Sequence, residues 1–272
     1  MKAYPFLTWL GLAAFSLPAL AADDQSAQHP LTPWTLSSEA EYSSGKYGGS
    51  APTDILYMPF VAKYESGSAI FKLTVPYVEI SGPGNVHIVS AGLPAPLIGS
   101  LPSTLSTQRS KASGLGDIVA SGSTNILYDA TSGLLLDMGS KIKFATASKD
   151  KGLGTGKHDF GVQIDAYQSL GKATTLMATL GYTWMGKPEG QNFRNIAFTS
   201  LGIAHKISPD TTLSAFFDVR QAVVNGSPIP RELTFYLSHR LDQHWKIQGY
   251  ALVGASDASP QKGIGATLGY SL

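Results

Sequence analysis

Twelve stretches of this chain alternate apolar and polar residues with a period of two, and the gaps between them alternate short and long. The stretches are 34–44, 53–65, 69–80, 116–128, 134–146, 159–170, 174–185, 195–207, 211–221, 231–241, 245–255 and 263–272. A period of two is the mark of a β-strand with two unlike faces. In 134–146, Leu134, Leu136, Met138, Ile142 and Phe144 share one face, and Asp137, Lys141 and Lys143 the other. In 211–221, Leu213, Phe217 and Val219 oppose Ser214, Asp218 and Arg220. In 231–241, Leu233, Phe235 and Leu237 oppose Glu232, Thr234, Ser238 and Arg240. In 116–128, Ile118, Ala120 and Ile126 oppose Asp117, Ser121 and Asn125. Several stretches exceed the ~5–6 residues usual in soluble sheets and match the ~9–11 tilted residues that cross a bilayer.

A soluble sandwich also alternates, with its polar face to water, so the connections decide. Segments 66–68, 129–133, 171–173, 208–210 and 242–244 are short, while 45–52, 81–115, 147–158 and 186–194 are long. Short turns on one side and long loops on the other are the signature of an outer-membrane barrel. Phe144, Tyr182 and Trp184 fall near the long-loop end, and Tyr128, Trp245 and Tyr270 near the short-turn end, where amphipathic rings meet the two bilayer interfaces. The expected fold is all-β: a twelve-stranded antiparallel transmembrane β-barrel of the bacterial outer membrane, spanning 34–272.

Composition narrows the function. The chain has no cysteine, which removes disulfide scaffolds and thiolate metal sites. With 20 basic and 19 acidic residues it lacks the basic surplus of a nucleic-acid binder, and no nucleic-acid partner is expected. Charged residues make up only 14 %, against roughly 25 % in soluble domains. Residues 1–21 read as a signal peptide: Lys2, an apolar run from Phe6 to Leu17, then Ala19-Leu20-Ala21. Residues 22–33 read as a periplasmic N-terminal segment.

Several strings resemble a family of bacterial outer-membrane proteins labelled as transporters or as "MetA-pathway of phenol degradation" proteins. They are YSSGKYG at 42–48, DILY at 54–57, LTVPY at 73–77, GPGN at 82–85, GLGD at 114–117, KGLGTG at 151–156, RELT at 231–234 and QGY at 248–250. The resemblance covers roughly 35–272. It implies an outer-membrane barrel that handles small molecules, and it carries no catalytic residues.

Charged residues on the polar faces are the functional candidates. Asp117, Asp159, Asp218, Arg220, Arg231 and Glu232 gather toward the long-loop end, with Lys141, Lys143, Asp165 and Arg240 further along their strands. Such groups either pair and fix a barrel or line an aqueous path and tune its selectivity. Loop 81–115 is the second candidate. From Ile80 to Gln108 it has no Asp, Glu, Lys or Arg, and Ile88, Leu93, Leu97 and Ile98 make it apolar. Pro83, Pro94, Pro96 and Pro102 are expected to deny it regular structure; either part of it folds into the mouth as a constriction, or it packs over the rim or stays disordered. No histidine falls in a close metal-binding spacing, and no cofactor is implied. The expected role is passive passage of small solutes, hydrophobic or aromatic ones included, across outer-membrane lipid, without enzymatic activity. A barrel-embedded lipid-modifying enzyme and a non-conducting structural or adhesive barrel are the alternatives.

Overall fold

The computed structural model describes residues 33–47, 51–83, 86–90, 97–100 and 109–272. The signal segment and nearly all of 22–33 lie outside these residues. The described chain forms fifteen strands and no helix: β1 (Trp34–Gly45), β2 (Thr53–Ser66), β3 (Ala69–Pro83), β4 (Val86–Ser90), β5 (Leu97–Ser100), β6 (Arg109–Leu115), β7 (Val119–Asp129), β8 (Leu134–Lys143), β9 (Asp159–Leu170), β10 (Thr174–Trp184), β11 (Ile196–Lys206), β12 (Thr211–Arg220), β13 (Arg231–Arg240), β14 (Trp245–Gly254) and β15 (Lys262–Ser271).

Every wall strand pairs antiparallel with its neighbours, and β15 returns to pair with β1, Glu39 opposite Thr267. The wall is therefore a closed barrel, the condition for a sheet to sit in a bilayer, although β6, at the loop end, pairs on one side only. It has twelve positions, because β6 and β7 share one: β6 pairs with the upper part of β3 and β7 with its lower part.

Alternation is kept around the ring, with polarity reversed relative to a water-soluble domain. Leu36, Phe60, Phe71, Leu73, Leu180, Leu201, Phe235 and Ile264 are exposed on the outside. Glu39, Lys143, Asp165, Gln163, Glu232 and Lys246 are buried on the inside. Such an exterior is stable only against an apolar medium. Ring contacts cluster at both ends of the wall. Trp34 lies 4.8 Å from Tyr64 and Trp245 4.7 Å from Tyr270 at the turn end. Trp184 lies 5.5 Å from Phe160 and 4.9 Å from Tyr182 at the loop end. The short turns are tight: Gly171 takes φ +69°, a left-handed conformation that favours glycine.

The expected strand 116–128 is the place where sequence and structure part. The wall breaks at 116–118, between β6 and β7, and a bulge between Asn125 and Leu127 turns Ile126, Leu127 and Tyr128 all outward. Loop 81–115 holds more regular structure than its prolines suggested: β3 runs on to Pro83, β6 pairs with it, and β4 and β5 form a hairpin with Ile88 opposite Ile98. Of the loop's four prolines only Pro83 is among the described residues, and it sits at the end of the β3–β6 ladder. Leu93 lies outside the described residues, and Ile88, Leu97 and Ile98 are described by their backbone alone.

A second irregularity lies in the adjoining wall. Pro59 and Pro76 are direct partners across β2 and β3. Neither has an N–H to donate. The ladder from β2 to β1 skips Glu39 and Ala40, and β3 changes partner strand between Thr74 and Tyr77.

Candidate functional site: the barrel interior and its mouth

The interior is built in levels. At the loop end, β8 places Lys143 Nζ 2.7 Å from Asp117 Oδ2 and 3.0 Å from Asp159 Oδ2, and all three residues are buried. Asp117 stands in the break between β6 and β7, which frees its other oxygen to accept from the backbone N–H of Thr146 (3.0 Å) and of Ala147 (2.9 Å). Asp159 Oδ1 accepts from the N–H of Gly186 at 2.8 Å. One buried ammonium thus neutralises two carboxylates, and those carboxylates hold two long loops in place. Charge-assisted bonds of this kind are among the strongest in proteins.

The loop after β8 is drawn into the mouth by these bonds. Its Ala147 and Leu153 are buried against Tyr47, Ile55, Val78 and Ile80. Lys143 also donates to Thr155 Oγ1 at 3.2 Å. A Cβ on Gly154 would stand 2.7 Å from the Ala147 Cβ and 2.9 Å from Asp117 Oδ2, so only glycine lets the loop lie this close. Burial of Tyr47, just beyond β1, raises its phenol above the ordinary tyrosine range. In the described residues it is 144–158 that packs into the mouth; the constriction expected from 81–115 falls largely outside them.

One level down, Arg220 forks onto Glu232, with Nη1 to Oε2 at 3.0 Å and Nη2 to Oε1 at 2.6 Å. Asp218, half-buried, is the direct cross-strand partner of Glu232. Further round, Tyr250 of β14 reaches over Gly265 of β15 to Glu39 and Glu41 on β1, with O···O distances of 2.6 and 2.5 Å. Thr267 donates to Glu39 at 3.0 Å.

Toward the turn end the arrangement changes. Asp137 and Asp165 are direct partners across β8 and β9. Asn125 donates to Asp137 at 3.2 Å, while Gln163 and Thr179 donate to Asp165 at 2.7 and 2.6 Å. Lys63 and Lys72 are direct partners across β2 and β3, with Glu65 3.0 Å from Lys63. Beside the acids, Leu135, Tyr167, Met177 and Ala204 form an apolar patch, with Phe216 packed on it.

Of the ten charged residues singled out in the sequence, Asp117, Lys141, Lys143, Asp159, Asp165, Arg220 and Glu232 are buried inside, and Asp218 is half-buried on the same face. Arg231 is exposed and shares the outward parity of Leu233 and Phe235. Grouping it with Glu232 overlooked that adjacent strand residues face opposite ways. Arg240 has inward parity but lies exposed at the turn end, 2.8 Å from Asp210. Glu39, Glu41, Lys63, Lys72 and Tyr250 were not singled out, though parity alone would have placed them inside. The described histidine rings bond threonine hydroxyls or backbone: His205 to Thr174 at 2.9 Å, His239 to Thr211 at 2.8 Å, His158 to the Ala145 N–H at 3.2 Å and His244 to the Ser271 carbonyl at 2.8 Å.

No family profile and no curated protein matches the sequence. Solved structures do resemble the fold. An outer-membrane channel from Pseudomonas putida F1 superposes with a TM-score of 0.65 at 9 % identity, over 92 % of this chain and 99 % of that one. The NanC porin gives 0.53 at 10 % identity, over 87 % and 98 %. The transport unit of the autotransporter AIDA-I from Escherichia coli gives 0.53 at 12 % identity, over 93 % and 94 %. At these identities the likeness is one of fold: a bacterial outer-membrane barrel.

Proposed function

We propose that this chain is an outer-membrane channel for passive passage of small solutes, aromatic ones among them, and that it is not an enzyme. The observation that carries the reading is the interior toward the turn end. There Lys63 faces Lys72 and Asp137 faces Asp165 in the ladders. Asp137 and Asp165 are buried and held by Asn125, Gln163 and Thr179, whereas Lys63, paired to Glu65, and Lys72 are only partly buried; like charges side by side in a dry core would cost several kcal/mol, so this lysine couple calls for water, and a hydrated lumen is a path. The groups at the loop end have a different task. Asp117, Lys143 and Asp159, and Arg220 with Glu232, are mutually neutralised, which suits bracing of the mouth. Aromatic side chains inside, Tyr167, Tyr236, Tyr250 and Phe216, pack on one another and on neighbouring apolar groups and give the interior an aromatic lining. The phenol-related family label is in keeping with such a lining.

The test is current through planar bilayers containing the purified chain. Discrete steps of one unit size, together with swelling of liposomes in small sugars, are expected. Silent membranes at every voltage and polarity would leave the non-conducting barrel as the better account.

A further inference from the structure

Tyr250 stands between two acids on the inward face of β1. Its Oη lies 2.6 Å from Glu39 Oε1 and 2.5 Å from Glu41 Oε2. Contacts this short join an O–H to a charged or strongly accepting oxygen. A phenol has one hydrogen to donate, and an ionised carboxylate has none. Two such contacts to one phenol oxygen therefore need two protons, and the second must come from a carboxyl. Glu39 accepts on its other oxygen too, from the Thr267 hydroxyl at 3.0 Å, which leaves Glu41 as the donor. A carboxylic acid keeps a carbonyl oxygen for Ser43, whose side chain also bonds Glu41.

The charges around the group agree with this count. Glu39, Glu41 and Tyr250 are buried, and among the described residues neither carboxyl has an ion-pair partner. The titratable groups that act on them are Tyr57 on β2, Tyr47 just beyond β1, Asp218 and Arg220 on β12, and Glu232 and Tyr236 on β13. Lys246 sits two inward positions further toward the turn end of β14. From β15 come Gly265 and Thr267, which do not titrate. Arg220 is already held by Glu232. Two ionised carboxylates here would share a dry level with Glu232 and Asp218 and have no cation of their own, a costly burial. We infer that Glu41 carries a proton in the folded barrel, donating it to Tyr250 Oη while Tyr250 donates to Glu39, and that this proton switches the ion preference of the lumen. With the proton bound, the chain Thr267–Glu39–Tyr250–Glu41 carries one negative charge. When the proton leaves to water, Tyr250 keeps one partner, the other carboxylate is released, and this level of the interior gains a negative charge. The preference of the path for cations then rises. The switch rests on the channel reading; the proton does not.

The test begins with infrared spectra of the folded full chain in detergent micelles. At about pH 7, far above the ordinary glutamate value of about 4.3, the wild type is expected to show the C=O band of a buried carboxylic acid. Glu41→Gln, whose amide N–H can stand in for the acid O–H, is expected to lose one carboxyl's share of that band. The wild type is expected to lose the same share reversibly as pH is raised to about 9. In planar bilayers under a potassium chloride gradient, the cation-over-anion permeability ratio is expected to rise several-fold over that range in the wild type and to stay level in Glu41→Gln. Heat-dependent migration on gels checks that the variant folds, and the wild-type titration needs no variant. A band untouched by Glu41→Gln overturns the protonated Glu41. A permeability ratio that ignores pH in the wild type, or follows it equally in both chains, overturns the switch. Silent membranes overturn the channel reading, and the infrared result still decides the proton.

Discussion

Arg220 and Glu232 meet end-on inside the barrel, two guanidinium nitrogens on two carboxylate oxygens at 3.0 and 2.6 Å. Both residues are almost fully enclosed, at 6 % and 2 % exposure. Their worth lies less in mutual attraction than in what each leaves behind when the other is removed. Glu232→Leu should destabilise the barrel by about 3–5 kcal/mol, because a buried guanidinium is then unmatched. The double change Arg220→Met with Glu232→Leu should recover most of that loss. Recovery stays incomplete if Asp218, which also interacts with Arg220, depends on it. Reversible urea unfolding of the refolded barrel in detergent micelles measures all three.

The loop drawn into the mouth should be releasable by one side chain. Gly154→Val places carbon atoms where Ala147 and Asp117 now stand. The loop is expected to swing out, giving a larger unit conductance and faster tryptic cutting at Lys149 and Lys151, which are exposed within it. A variant with unchanged conductance and unchanged cutting would show that the loop does not narrow the path.

The turn between β13 and β14 offers a pH test. Asp242 accepts from the backbone N–H of His244 and of Trp245, both at 2.7 Å. These bonds hold its carboxyl below the ordinary aspartate range, the Trp245 bond contributing most. A carboxyl depressed in the folded state adds stability above its unfolded value, and that gain is lost as pH falls through the folded one. The wild type should therefore exceed Asp242→Ala in stability at pH 7, and the difference should shrink steadily on acidification below about pH 4. Unfolding curves at several pH values check it; a constant difference would assign the effect to turn geometry alone.

The wall was legible in the sequence because its signal is repeated and local. Parity placed Lys141, Lys143, Asp159 and Glu232 inside, and loop length fixed which end of each strand was which. Irregularities were not legible. The break at 116–118 has the same alternation before and after it, and a bulge such as that at Asn125 only shows once its partner strand is known. The site was half legible for a related reason. Which residues face inward follows from counting by twos. Which inward residues meet depends on strand tilt and stagger, so Tyr250 reaches Glu41 on β1, across β15, although the two stand far apart in sequence. Arg231 obeys the same rule: its charge says nothing of direction, and its parity turns it outward.

Tyr250 binds two residues more than two hundred positions earlier in the chain, reaching them only because Gly265 has no side chain to block the way. The Lys143 cluster, by contrast, joins neighbouring hairpins and can be complete while the first and last strands are still apart. The ammonium cluster needs no sealed cylinder, whereas the phenol shared by Glu39 and Glu41 is a latch that can engage only when the cylinder has sealed.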